Sequence, residues 1–276
     1  MSGHGRYQAG RRPARRPRHP GARWSGGASS GPVPGTQRSA HPLRPALGEV
    51  ALAVASLALA ELAFGLLAGA WPGSDTTRDG IAWLYLGVLR TAAAATVYRL
   101  LAGALDAGHA GTAPGPVAPP ARAVAIGLAS GAAAIAGSFA IGVLLETVGA
   151  APEEQQAILR LVARLRAEGS WATHAAFVTA ACLLAPWVEE WFFRGLLFRR
   201  VAASASVPAA YAVSALGFAA IHGNPSGLVI YAWLGLCFAW AVARTGRTGP
   251  AVLAHAVNNA AVVTLLYLGL APGAQP

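Results

Sequence analysis

The chain contains no lysine, a single methionine and two cysteines, and only 12% of its 276 residues are charged. A soluble domain carries about 25% charged residues, so an ordinary soluble fold is excluded. Cys182 and Cys237 both sit in apolar runs, which indicates neither a disulfide framework nor a cysteine-based metal site; they read as small apolar fillers. No His-Glu-x-x-His stretch occurs, which removes the helical zinc motif. The serines followed by glycine, such as Ser30, Ser130 and Ser226, lack a glycine two residues earlier, which argues against a serine nucleophile. The first 45 residues lack any acidic side chain while holding nine arginines.

What is present is apolar: 55% of the residues are hydrophobic and the mean hydropathy is +0.47. Apolar stretches cover residues 47–70, 81–101, 123–148, 172–197, 207–221, 228–243 and 251–270, long enough for an all-α, polytopic transmembrane helix bundle. About seven spans of roughly 20 residues each are expected, give or take one or two. The run from residue 50 to 70 is longer than the apolar core of a signal peptide and follows too long a basic stretch, so it reads as a first transmembrane helix. The Pro and Gly content before it argues against an amphipathic transit peptide.

Four regions follow from this reading. Residues 1–45 form a basic, disordered cytoplasmic tail, residues 46–150 the N-terminal transmembrane helices, residues 151–270 a transmembrane core, and residues 271–276 a C-terminal tail. The net charge of +10 is concentrated in the basic tail, which orients the first helix and touches anionic lipid rather than nucleic acid. Residues 103–120, rich in Gly, Ala and Pro, form a linker. Residues 153–168 are charged, with Ile158, Leu161, Val162 and Leu165 at helical spacing, which suits an interfacial amphipathic helix. With the tail inside, Arg122, Arg199, Arg200, Arg244 and Arg247 fall inside, Asp75, Arg78 and Asp79 outside, and the C-terminus outside. The chain is expected in a plasma membrane, and its Ala, Arg and Gly content without lysine suggests a bacterial, high-GC source.

Ionisable groups inside spans are functional-site candidates by default. Three motifs qualify: Glu189-Glu190-x-x-x-Arg194, Phe218-x-x-x-His222 and His255-x-x-x-Asn259. If Arg200 and Arg247 mark one interface, a rise of about 1.5 Å per residue puts Glu190 roughly 15 Å, His255 roughly 12 Å and Asn259 roughly 18 Å deep. His222 lies about 22 Å along its helix, and less in depth with tilt. Two Glu and one Arg left uncompensated there cost roughly 8 to 10 kcal/mol. Residues four apart share a helix face, so Arg194 pairs with Glu190 while Glu189 faces a cavity as general base. Phe218 packs against the His222 ring. His255 and Asn259 share a face and can ligate a metal or donate hydrogen bonds to an oxyanion; Asn258 points about 100° away. Arg90, Arg99, Glu61 and Glu146 read as snorkelling or interhelical pairs, and His174 as interfacial.

These three motifs, in this order, resemble the signature of the CAAX-processing and bacteriocin-processing family of intramembrane proteases. The resemblance covers residues 171–270, and Trp191-Phe192-Phe193-Arg194-Gly195 fits the continuation usual after the two acids. It implies that Glu189 activates water with help from His222, and that His255 and Asn259 complete a metal site or hold the tetrahedral oxyanion, with Glu190 and Arg194 in support. Glu189, His222 and His255 would be the ligands of a divalent metal, zinc by donor type; a metal-free, glutamate-driven mechanism fits the same motifs. The partners implied are membrane lipid and a membrane-associated peptide or protein, with leader-peptide processing or maturation of a membrane partner preferred over a prenylated substrate. A transporter or channel, and a non-catalytic immunity or binding protein of the same fold, are the alternatives.

Overall fold

The chain runs from one end of a helix bundle to the other six times in long apolar helices, with a seventh, shorter apolar helix among them. The computed structural model describes residues 43–68, 77–105, 117–150 and 156–270, all within one unit spanning residues 39–276. The basic tail up to residue 42, the loop with Asp75, most of the 103–120 linker, the start of the 153–168 stretch and the tail 271–276 lie outside the described residues. Eight helices are described: α1 (Leu43–Ala68), α2 (Thr77–Leu105), α3 (Pro120–Thr147), α4 (Gln156–Glu168), α5 (Trp171–Ser204), α6 (Val207–Ile221), α7 (Leu228–Thr245) and α8 (Gly249–Leu268). No strand occurs among the described residues, so the fold is an all-α bundle. Six helices are long and apolar enough to cross a membrane, and α6, at 15 residues, is the apolar helix that is not.

Local chemistry sets the ends. Ser170 and Ser206 cap α5 and α6 by accepting the backbone N–H groups of Thr173 and Ala209, satisfying donors that have no partner within the first turn. Pro120, Pro208 and Pro250 stand in first turns, where a missing N–H costs nothing. Beyond α6, Gly223 takes φ +60, a conformation a Cβ disfavours, and the chain turns back through residues 224–227 into α7.

One end of the bundle is bound together by arginines. Arg200 of α5 forms a two-pronged ion pair with Glu49 of α1 at 2.8 and 3.0 Å, and the Tyr98 hydroxyl of α2 donates to the same carboxylate. Arg199 donates to Gly246 O just past α7, and Arg247 donates to Ala118 O just before α3. At the opposite end α4 lays Leu161, Val162 and Leu165 against Ile81, Phe177 and Leu266. The amphipathic helix expected there is therefore docked on the protein through the very positions its periodicity marked. His174 at that end pairs with the Tyr267 hydroxyl at 2.7 Å, and Arg90 pairs with Glu61 between α1 and α2.

In a membrane, helices associate through close packing and hydrogen bonds rather than through expulsion of water. The α3–α8 contact follows that rule: a Cβ on Gly127 would meet Pro250 O at 2.9 Å, and one on Gly131 would meet Ala254 O at 3.2 Å. The α3–α7 contact uses Ser130 Oγ, which donates to Cys237 O at 2.7 Å, and the Trp233 indole, which donates to the Ala133 and Ala134 carbonyls. This frame fixes the backbone of α7 and α8, and so the level of the side chains that meet α5.

Candidate active site

The site is built on α5, which is not a uniform helix. Two stretches, Ala180–Leu184 and Trp191–Phe198, are wound as π-helix, with the α-helical turn Ala185–Glu190 between them. Such wide turns re-aim side chains and recur at functional sites. Pro186 has a part in the first. The Ala185 N–H reaches back five residues to Ala180 O, and Pro186, lacking an N–H, cannot follow it to Ala181 O. Asn259 fills that gap: its Nδ2 donates to Ala181 O at 2.8 Å.

Between the two wide turns stand Glu189 and Glu190, and they have different surroundings. Glu190 and Arg194 are both fully buried. Arg194 gives one guanidinium nitrogen to Glu190 Oε1 at 2.8 Å and another to Gly235 O on α7 at 2.8 Å. The guanidinium lies over the Phe218 ring at 4.6 Å and near Phe238 at 5.4 Å, so cation–π attraction replaces part of its lost hydration. A Cβ on Gly235 would stand 2.7 Å from Ala215 Cα, so α6 and α7 touch backbone to backbone beside this arginine.

Glu190 Oε1 also meets His255 Nδ1 at 3.0 Å. A carboxylate only accepts, so the ring carries a proton on Nδ1 and turns Nε2 outward. The ring is stacked on Phe238 at 4.7 Å and 17°. His222, at the end of α6, is held in a parallel way: Nδ1 faces Phe218 O at 2.7 Å, and the ring is stacked on Tyr231 at 4.1 Å and 21°. Phe218 contacts both imidazoles, at 4.7 Å from His222 and 5.5 Å from His255. Each histidine thus has one nitrogen fixed by an oxygen and one face fixed by an aromatic ring.

Glu189 is only half-buried, its Oε2 is buried without a hydrogen-bond partner, and it lies within electrostatic reach of both His222 and Arg194. Of the expected division between the acids, the pairing of Glu190 with Arg194 is seen in the geometry. His222 and His255 come together around Phe218, with Glu189 within electrostatic reach of His222. Asn259 stands aside on the α5 backbone, and its neighbour Asn258, which helical geometry turns away, is buried and donates to Asn259 Oδ1 at 3.3 Å.

Several partners were not legible beforehand. The spacing of His255 and Asn259 suggests that they act as a pair, whereas His255 is joined to Glu190 of another helix. Tyr231, Phe238 and Gly235 lie in an apolar run without any motif, and only a three-dimensional neighbour gives them a role. Zinc would require three of the expected ligands to converge on one point. Among the described residues no three His, Cys, Asp or Glu side chains are grouped to hold a metal ion. The carboxylate behind His255 is the support that metal-binding imidazoles commonly have, but Glu189, His222 and His255 as placed do not fit a zinc ion, and no step below runs through one.

Residues 170–261, from the cap of α5 to the middle of α8, match the family model described as type II CAAX prenyl endopeptidase Rce1-like. The match encloses all three motifs and every residue of the site. No curated protein and no solved structure matches the chain.

Proposed function

We propose that this is an intramembrane endopeptidase that hydrolyses a peptide bond of a membrane-associated protein or peptide, with Glu189 as the base. The supporting observation is the contrast between the two adjacent acids: Glu190 is fully buried and neutralised by Arg194, while Glu189 is half-buried, pairs with no cation among the described residues and lies within electrostatic reach of His222. Each carboxylate keeps one buried oxygen without a hydrogen-bond partner, and only that of Glu189 belongs to a side chain open to the site. A buried polar atom in that state calls for a ligand or a water. A water between Glu189 and His222 gives a proton to the carboxylate and attacks the scissile carbonyl carbon. The tetrahedral oxyanion is held by the imidazolium form of His255, which Glu190 supports at Nδ1, while Asn259 holds the α5 backbone at Ala181. Collapse breaks the C–N bond, and the departing amine takes the proton from Glu189. One water and one peptide bond become a carboxylic acid and an amine.

The substrate is a leader-bearing or membrane-anchored polypeptide presented to the arginine end or laterally from the bilayer. Glu189→Ala should abolish cleavage while its elution in detergent and thermal unfolding stay those of the unaltered protein; a fully active variant refutes the base assignment. Metal analysis with a chelator titration separates this mechanism from a zinc-dependent one. Full turnover without bound metal is expected, and stoichiometric metal with chelator-sensitive cleavage would replace the glutamate-driven scheme.

A further inference from the structure

A cavity of about 400 Å³ lies on the other side of α7 from the site, between α3, α6 and α7, lined among others by Ala129, Ala133, Tyr211, Trp233 and Trp240. The two faces of α7 are separate. Gly235 and Phe238 look toward Arg194, whereas Trp233, Leu236, Cys237 and Trp240 look into the cavity. Its walls are almost wholly apolar, and the Ser130 hydroxyl within them is already bonded to Cys237 O. A peptide would find no partners there for its backbone, which is prohibitive away from water. A hydrocarbon chain has no such requirement.

The cavity has a charged mouth. Arg244, in the last turn of α7, stands 5.9 Å from the Trp240 ring and acts electrostatically on the Tyr211 phenol, so two lining residues lead to it. Of the other arginines around this end, Arg199, Arg200 and Arg247 are committed to protein oxygens, of Gly246, Glu49 and Ala118, while Arg44, Arg99 and Arg122 are exposed on α1, α2 and α3 and none of them contacts a lining residue as Arg244 contacts Trp240. Arg244 is exposed and meets no carboxylate among the described residues. From Arg244 to Trp233 the helix rises about 16 Å, close to half of a hydrocarbon core of about 30 Å. That is the reach of one acyl chain in one leaflet.

We propose that this groove binds an anionic phospholipid, one acyl chain lying between α3 and α7 and the phosphate on Arg244. The inference is independent of the reaction proposed for the other face of α7. The side of α3 at Ala129 and Ala133 makes room for the chain, and Trp240 and Tyr211 sit where interfacial aromatics meet headgroups.

The test is native mass spectrometry and thermal unfolding of the full chain in detergent, with dioleoyl phosphatidylglycerol or dioleoyl phosphatidylcholine added. Phosphatidylglycerol should give at least a roughly fivefold larger adduct population and raise the unfolding temperature. Arg244→Gln should remove the headgroup preference while chain binding persists, and Ala129→Leu, which fills the groove, should lose both; Ala133→Leu serves if that variant does not fold. Equal adducts in all variants would overturn the proposal. So would a preference that survives Arg244→Gln, or inorganic phosphate reproducing the whole unfolding shift.

Discussion

Arg194 concentrates the energetics of the site in one side chain. It is fully buried, shared between Glu190 and Gly235 O, and walled by aromatic rings. A buried ion pair is weak evidence of net stability, but removing one partner leaves a buried charge uncompensated and costs about 3–5 kcal/mol. Glu190→Gln should therefore lower the unfolding temperature sharply, whereas the double variant Glu190→Gln/Arg194→Met should recover most of that loss and remain inactive, because His255 no longer has its carboxylate. A double variant as unstable as the single one would show that the pair has a further structural partner. Tyr231 acts more gently. Stacking of this kind contributes about 0.5–1.5 kcal/mol, so Tyr231→Leu should lower kcat by up to roughly tenfold with only a small fall in the unfolding temperature, and Tyr231→Phe should keep most of the activity. Equal losses in both variants would move the role from the ring to the hydroxyl.

At the scale of elements, the site depends on two departures from regular structure. The first is the wide winding of α5. Its apolar run reads as a plain helix, and only Pro186 hints otherwise, since no local pattern encodes a π-turn whose freed carbonyl is bound by Asn259 from α8. The acid–arginine spacing of Glu190 and Arg194 was legible because it lies within one turn of one helix; the bond from Glu190 to His255 was not, because it joins residues 65 apart in the chain. The second departure is the shortness of α6. Fifteen residues rise only about 22 Å, less than a hydrocarbon core of about 30 Å, so His222 and the turn after it stop short of the far surface. Its packing on α7 requires a residue without a side chain at Gly235. Gly235→Ala would place a Cβ 2.7 Å from Ala215 Cα, and overpacking of that kind costs about 1–3 kcal/mol. A lower unfolding temperature together with reduced cleavage is expected, and an unchanged variant would mean that α6 can slide freely.

At the scale of the whole molecule, the arginine contacts decide which helix ends lie together. Glu49 near the start of α1, Tyr98 toward the end of α2, Ala118 before α3, Arg200 toward the end of α5, Gly246 after α7 and Arg247 before α8 are joined by hydrogen bonds at one end. The arginines of the short loops gather at this same end, which is why the grouping of helix ends could be read from the chain while the depth of α6 could not: charge marks surfaces, and nothing marks a helix that turns back early. Because α6 and α7 leave and return to the arginine end, they do not alter the parity of crossings. The start of α1 and the end of α8 then lie at opposite ends of the bundle, whether α6 counts as a span or not. Reporter fusions at the two termini should report opposite sides of the membrane. A cysteine at Ser226, in a background with Cys182 and Cys237 replaced by alanine, should react with small membrane-permeant thiol reagents and resist bulky impermeant ones, since its turn lies below the far surface. Ready labelling by a bulky impermeant reagent would make α6 a full span, raise His222 out of the level of Glu189, and remove the geometry on which the hydrolytic reading depends.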